Sequence, residues 1–213
     1  MTKLKNGIFG PISGKLGPVV GATWKGIAYL RLAPNKNKKS VPRSAAQLAN
    51  QYKFKFLHAF LTPFHPYLIN GFKHSAIGKT EINAAFTANY KAVKGVYPDF
   101  EINYSELSIS EGRLANLNNP TTRWISQSAF ELSWETGNQI QATFNDQLMV
   151  VIYCPELKIA DGFVGGVKRS SKKYIYTLDE KFIGLNLEVY VCMLALTGKA
   201  VSKTAYLGRM VAI

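Results

Sequence analysis

Acidic residues are missing from the first 80 positions: Glu81 is the first of 13 Asp and Glu, against 26 Lys and Arg and a formal net charge of +13. The imbalance is local, because residues 1–95 hold 15 basic residues and Glu81 alone, whereas residues 96–213 hold 11 against 12 acids. Folding needs no such asymmetry. A field of one sign selects an anionic partner, whether nucleic acid, an anionic membrane or an acidic protein surface; the plain alternative is a set of solvated lysines on helix faces. Cysteine is scarce too. Cys154 and Cys192 each lie in an apolar strand-like run, with no CxxC pair and no His at metal spacing, so two buried free thiols are the first reading and a disulfide between facing strands the second. No apolar run approaches the ~20 residues of a spanning helix. The segment 7–24 is cut by Pro11, Lys15 and Pro18, and the run after Lys3 and Lys5 has no uninterrupted h-region of a secretory signal. A soluble protein made in the cytoplasm is expected, with no membrane partner.

Catalytic signatures are absent as well. There is no Gly-x-Ser-x-Gly, no HExxH and no Cys–His spacing of a known kind, and the acids read as solvent-facing strand and turn residues. His58, His65 and His74 have no carboxylates beside them in sequence and read as surface or loop residues, not metal ligands. The chain is therefore expected to be non-enzymatic, without metal or cofactor. Gly10-Pro-Ile-Ser-Gly14-Lys15-Leu16 approaches a phosphate-binding loop, but it is one residue short and lacks the Ser or Thr after the lysine. The glycines and bulky residues from Gly7 to Trp24 also approach a fusion peptide, against which the two prolines weigh.

What the chain does have begins with a patterned Gly/Pro segment, residues 1–26, in which Gly10-Pro11 recurs as Gly17-Pro18. Two prolines and six glycines exclude a regular helix. Short extended pieces with tight turns, or close backbone packing on a neighbour, suit the pattern. Trp24 to Leu32 alternates as a strand, with Ile27, Tyr29 and Arg31 on one side and Ala28, Leu30 and Leu32 on the other. An exposed basic loop over 33–43 follows. Ser44-Ala-Ala-Gln47 opens a helix over 44–61 with Leu48, Tyr52, Phe56, Ala59 and Phe60 on its apolar face, and a second helix is expected over 80–93, stopped by Gly95. Gly95-Val-Tyr-Pro98 marks the expected domain boundary, giving a basic region over 1–95 and a β-domain over 96–213.

From Phe100 the period is two. Asn116 to Thr122 reads as a turn cluster, Thr136-Gly-Asn138 as a hairpin turn between Phe130–Trp134 and a return strand at Ile140, Ala142 and Phe144, and Leu148 to Tyr153 as a fully buried strand. The segments 172–178, 185–196 and 200–213 complete seven or eight strands of an antiparallel sandwich. The fold class is mainly β: an Ig-like sandwich preceded by a Gly/Pro-rich arm and two helices. Phe130-Glu-Leu-Ser-Trp134, Leu178 with Gly184 and Tyr190 as a tyrosine corner, and a final hairpin over 191–202 turning at Gly198 resemble a fibronectin type III or immunoglobulin-like domain over about 100–213.

The chain as a whole resembles an uncharacterised family of Bacteroidota proteins of similar length. The residues that carry this are Asn6-Gly7-Ile-Phe-Gly10, Gly14-Lys-Leu-Gly17, Val20-Gly-Ala-Thr-Trp24-Lys-Gly26, Arg43-Ser-Ala-Ala-Gln47, Tyr97-Pro98 and Ser110-Glu-Gly112. That resemblance implies no catalytic residue.

Two functions are expected from these features. The first is a structural or assembly protein, oligomeric or part of a virion or surface assembly, whose arm contacts neighbouring subunits through Ile8, Phe9, Ile12, Leu16, Val19, Val20 and Trp24. An apolar segment with few local contacts needs a partner surface to order it. The second is a nucleic-acid-binding accessory protein, contacting phosphates through Lys36, Lys38, Lys39, Arg43, Lys53 and Lys55. Lysines interleaved with aromatics suit stacking combined with phosphate contact.

Overall fold

A computed structural model describes residues 3–4, 10–35, 42–135, 137 and 142–211. Contacts divide the chain into two units, Met1–Ser44 and Ala45–Ile213.

In the first unit the glycine-rich segment is a sheet of short strands and tight turns, as its pattern suits, and this pairing within the chain corrects the expectation of a segment with few local contacts. Strands β1 (Lys3–Leu4), β2 (Ile12–Leu16), β3 (Val19–Trp24) and β4 (Ile27–Leu32) pair antiparallel in that order. Two-residue loops join the last three. Proline cannot take a positive φ, so in the Gly17-Pro18 loop the glycine supplies it, at +58°, as a type II′ turn requires. The Lys25-Gly26 loop has positive φ at both residues, the type I′ pattern. These loops set the register, with Leu16 opposite Val19 and Trp24 opposite Ile27. At Gly21 a Cβ would overlap the Ile12 carbonyl. The close backbone approach that the glycine pattern predicts is made there within the chain itself.

The second unit starts with helices. α1 spans Ala45–Leu61, a 3-10 turn Thr62–Phe64 bends the chain at Pro63, and α2 (His65–Gly71) and α3 (Glu81–Asn89) follow. α3 starts where Thr80 accepts a hydrogen bond from the Asn83 N–H at 3.2 Å, satisfying one of the free N–H groups of the first turn. After a 3-10 turn over Tyr90–Ala92 the chain enters β5 (Val93–Val96), which pairs with β6 (Asp99–Ile102). Gly95 is thus a strand residue set against the Asp99 carbonyl and not a helix stop, and Tyr97-Pro98 is the loop of a hairpin.

Seven strands then build a sandwich: β7 (Asn118–Ser126), β8 (Ala129–Glu135), β9 (Gln147–Cys154), β10 (Ile159–Lys168), β11 (Lys173–Thr177), β12 (Asn186–Leu194) and β13 (Ala205–Val211). One sheet has the order β11-β8-β7 and the other β10-β9-β12-β13. The chain changes sheet between β8 and β9, between β10 and β11 and between β11 and β12. This three-on-four arrangement is the fibronectin III/Ig-like sandwich that the strand pattern predicts. Phe130, Leu132 and Trp134 of β8 meet Leu148, Val150 and Ile152 of β9 and Leu187, Val189 and Val191 of β12 in the inner core.

The other face of the four-stranded sheet is covered too. Met149, Val151, Tyr153, Tyr190 and Cys192 pack there with Leu57, Leu61, Phe64, Leu68 and Phe72 of the helical segment. This explains why β9 and β12 read as continuous apolar runs, since strands covered on both faces lose their alternation. It also corrects the division at 95/96: the helices share a core with the β-domain, and the break by contact falls at 44/45.

Several local expectations change for the same reason, that pairing is decided at a distance. Asn118 to Thr122 belongs to β7 and not to a turn cluster, and Pro120 is tolerated because β7 is an edge strand. β8 has β7 on one side and β11 on the other, leaving no edge for a return strand after Thr136. Ile140 lies outside the described residues, and Phe144 is an exposed turn residue. Tyr190 makes no tyrosine corner: its hydroxyl donates to the Tyr104 carbonyl at 3.0 Å on the helix-covered face. Asp146 and Glu188 are fully buried, against the reading of the acids as solvent-facing. On α1 only Leu57 and Leu61 are buried and Phe56 and Phe60 half-buried, while Leu48, Tyr52 and Ala59 stay exposed.

Candidate functional site

The register of the N-terminal sheet sorts its residues onto two unlike faces. Residues directly opposite in an antiparallel pair share a face. Leu16, Val19 and Leu32 lie in one row and Gly21 and Leu30 in the next, with Thr23 and Ala28 beyond, so this face carries no charge. Leu16, Leu30 and Leu32 are 58%, 60% and 75% exposed on it. The opposite face holds Lys15, Val20, Ala22, Trp24, Ile27, Tyr29 and Arg31, which makes it basic and aromatic. An antiparallel sheet normally has one face packed and one solvated. Here both faces expose large apolar side chains.

The predicted arm residues are therefore brought together only in part. Leu16 and Val19 join the leucine face, Val20 and Trp24 the basic one, and Ile12 crosses Gly21; Ile8 and Phe9 lie outside the described residues. Leu30 and Leu32 were missed as contact residues because the arm was taken to end at Gly26. The alternation of 27–32 together with the Lys25-Gly26 turn signal was enough to find them.

Of the predicted anion contacts, Lys36, Lys38 and Lys39 lie outside the described residues. Arg43 and Lys55 are exposed. Lys53 holds its Nζ 4.3 Å from the Tyr90 ring centroid, a cation–π contact that ties the side chain to α3 and its following turn. Residues 1–44 contain nine Lys and Arg and no acid, so the asymmetry is concentrated in the first unit.

The second unit contains a cleft of about 500 Å³ between the end of α1, β6 and the β9–β10 turn. Phe56, Phe60, Phe100, Tyr104 and Tyr153 form its walls, with Glu101 and Lys158 also lining it. The ring centroids of Phe60 and Tyr153 are 5.2 Å apart and those of Phe56 and Phe100 6.1 Å apart. Tyr153 is 3% exposed, and its hydroxyl makes no hydrogen bond among the described residues. Burial, with smaller contributions from Tyr104 and Cys154, pushes this phenol up to about 12. Next to it across the β9–β12 ladder lies Glu188. That carboxylate accepts hydrogen bonds from the Tyr206 hydroxyl at 2.5 Å and Arg209 Nε at 2.7 Å, so the buried acid is paired and not a free catalytic group.

The two cysteines point to opposite faces of one sheet, Cys154 into the sandwich and Cys192 under the helices. Both are free thiols, and the sheet between them excludes a disulfide. Burial pushes Cys192 up to about 12 and raises Cys154 as well. A raised acid pKa leaves the folded state protonated where the unfolded state has ionised, so stability is full below pH ~9 and falls as pH rises from there through 12. Cys192 removes about 1.4 kcal/mol per pH unit in that window, and Cys154 acts in the same direction. Urea midpoints measured from pH 8 to 11 should fall accordingly, and native protein at pH 8 should leave both thiols unreacted with a disulfide reagent.

No cluster of three His, Cys, Asp or Glu side chains that could hold a metal occurs among the described residues, and no helix among them is long and apolar enough to cross a membrane. No curated protein matches the chain. Among solved structures, the FN1–FN3 domains of chicken CNTN1 are similar at 8% identity and a TM-score of 0.37, covering 48% of this chain and 33% of that one; the chain thus spans about a third of the length of that structure. A family model covers residues 11–208, from β2 of the N-terminal sheet to the last strand of the sandwich, so both units fall within it, and the chain belongs to a family of unknown function, DUF6266.

Proposed function

We propose that this is a non-enzymatic structural or assembly protein whose N-terminal sheet docks, leucine face to leucine face, on a second copy of the chain. The observation that carries this reading is the uncharged face of Leu16, Val19, Leu30 and Leu32, open in a sheet whose lysines and arginine lie on the other side. Identical faces can meet about a two-fold axis and bury these leucines, stacked about 10 Å apart, while the cationic faces remain outermost. Burial of a leucine side chain contributes roughly 1.5–3 kcal/mol, and each copy supplies three exposed ones. Oligomers built this way suit a virion or surface assembly, and the sequence resemblance alone implies a source in Bacteroidota. Leu30→Arg with Leu32→Arg should leave the sandwich folded and reduce the particle to monomer by light scattering. An unchanged mass for the double variant sinks the proposal.

A second reading is favoured by the opposite face, where Trp24 and Tyr29 stand among Lys15, Arg31 and Val20 in a unit without acids. Such a surface suits a single-stranded nucleic acid, with bases stacked on the rings and phosphates on the cations. Affinity would then fall with salt at a log–log slope of about −0.7 for each phosphate contact, and Lys15→Glu with Arg31→Glu should abolish retention. No retention of the parent protein at low salt removes this reading.

A further inference from the structure

The cleft beside α1 is independent of the N-terminal sheet, and its chemistry is more specific than its apolar walls suggest. About 500 Å³ is within the range of small-molecule sites, which combine aromatic walls with a few polar groups that fix orientation. Phe56, Phe60 and Phe100 are only partly buried and offer ring surface to the cleft. Tyr153 is 3% exposed as a residue and lines the cleft; its hydroxyl has no hydrogen-bond partner among the described residues and keeps some solvent contact, since the fully buried side-chain polar atom left unpaired among them is His65 Nε2. The lining carries one charge of each sign. Glu101 sits opposite Lys94 across the β5–β6 ladder, but the Lys94 ammonium is held by Glu106 at 2.9 Å, so neither Glu101 nor Lys158 has an ion-pair partner among the described residues. The neighbouring Glu156 is occupied, accepting from the Asn186 side chain at 2.6 Å and from the Cys154 thiol at 3.4 Å.

We propose that this cleft binds a small planar aromatic acid, with its rings between Phe56, Phe60 and Phe100 and its carboxylate on Lys158 and the Tyr153 hydroxyl. Glu101 repels the anionic end and so sets the ligand's direction in the cleft. The phenol donates one hydrogen bond and the ammonium supplies the opposing charge, the pairing that a carboxylate prefers over a neutral amide. The backbone around Lys158 is consistent with a built position, since this residue holds a positive φ of 56° in the β9–β10 turn, a conformation uncommon for a non-glycine residue.

The test uses the full chain with 2-naphthoate and its neutral analogue 2-naphthamide, followed by ligand-observed NMR and titration calorimetry. 2-Naphthoate should bind about five-fold more tightly than the amide, the ratio that an ion pair of about 1 kcal/mol gives. Lys158→Met should remove that preference and leave the amide's affinity unchanged. Ala59→Trp changes an exposed helix position that lines the cleft. It fills the cleft without disturbing the core and should abolish binding of both compounds. The proposal is overturned by absence of 2-naphthoate binding at millimolar concentration, by binding that survives Ala59→Trp in a protein with unchanged circular dichroism, or by an acid-to-amide ratio that Lys158→Met does not alter.

Discussion

Truncating Phe64 to alanine should lower the stability of the second unit by about 3–5 kcal/mol, the usual cost of emptying a fully buried phenylalanine site. Phe64 is 0% exposed. It lies in the 3-10 turn between α1 and α2, with its ring centroid 4.9 Å from that of Tyr153 on β9 and 5.4 Å from that of Phe60 on α1. The side chain therefore joins the helical layer to the outer face of the sheet, and the cavity left behind would be shared by both. The same variant tests where the domains divide. If helices and sandwich are one cooperative body, far-UV dichroism at 222 nm and near-UV signals should lose amplitude together, in both parent and variant. A helical transition that precedes the loss of sandwich signal would restore the division near residue 95. A loss below 1 kcal/mol would show that Phe64 does not bridge the layers.

Asp146→Ala should cost a similar amount, for electrostatic and not steric reasons. Asp146 is fully buried at the head of β9, where it accepts from the Thr143 N–H at 2.9 Å, the Thr143 hydroxyl at 2.6 Å and Arg169 Nε at 3.1 Å. The same guanidinium donates to the carbonyls of Asn116 at 2.8 Å and Ala115 at 2.5 Å, on the approach to β7. Trp134 of β8 donates to the Arg169 carbonyl at 2.8 Å. One buried ion pair thus ties the ends of β9 and β10 to strands of the other sheet. Removing the carboxylate leaves the arginine charged and 8% exposed, a change that costs about 3–5 kcal/mol, whereas replacing both partners by apolar residues is often far milder. Urea unfolding of Asp146→Ala, Arg169→Met and the double variant should therefore be strongly non-additive. Additive losses would mean that the pair is not coupled.

Neither Asp146 nor Arg169 stands out in the sequence. Asp146 sits in Phe144-Asn-Asp-Gln147, which has the composition of a solvated turn, and its role depends on an arginine 23 residues away. Glu188 was hidden in the same way inside Leu185 to Leu196, since its partners Tyr206 and Arg209 come from the next strand. The cleft was invisible for a related reason. Its walls come from α1, β6 and the β9–β10 turn, and Phe56 and Phe60 were assigned wholly to the core because a helical stripe does not show where the covering layer stops. The leucine face was within reach, because a two-residue turn and an alternating strand fix its register. It was overlooked because glycine and proline dominated the reading of residues 1–26.

By itself the sequence determined the features set by near neighbours: a helix opening near Ala45 and another from Thr80, the apolar runs of β9 and β12, the Trp134 strand, the sandwich class, and the absence of acids before Glu81. These follow from local period, capping chemistry and composition, which survive in any tertiary context. Only the tertiary structure decided which strand lies beside which, and so that β8 is central and β7 an edge. It also decided that the helices cover the sandwich, and that two carboxylates are interior. The physical reason is that an extended chain carries the same alternation whether its outer face meets water, a helix or another sheet; which of these covers it depends on residues far along the chain.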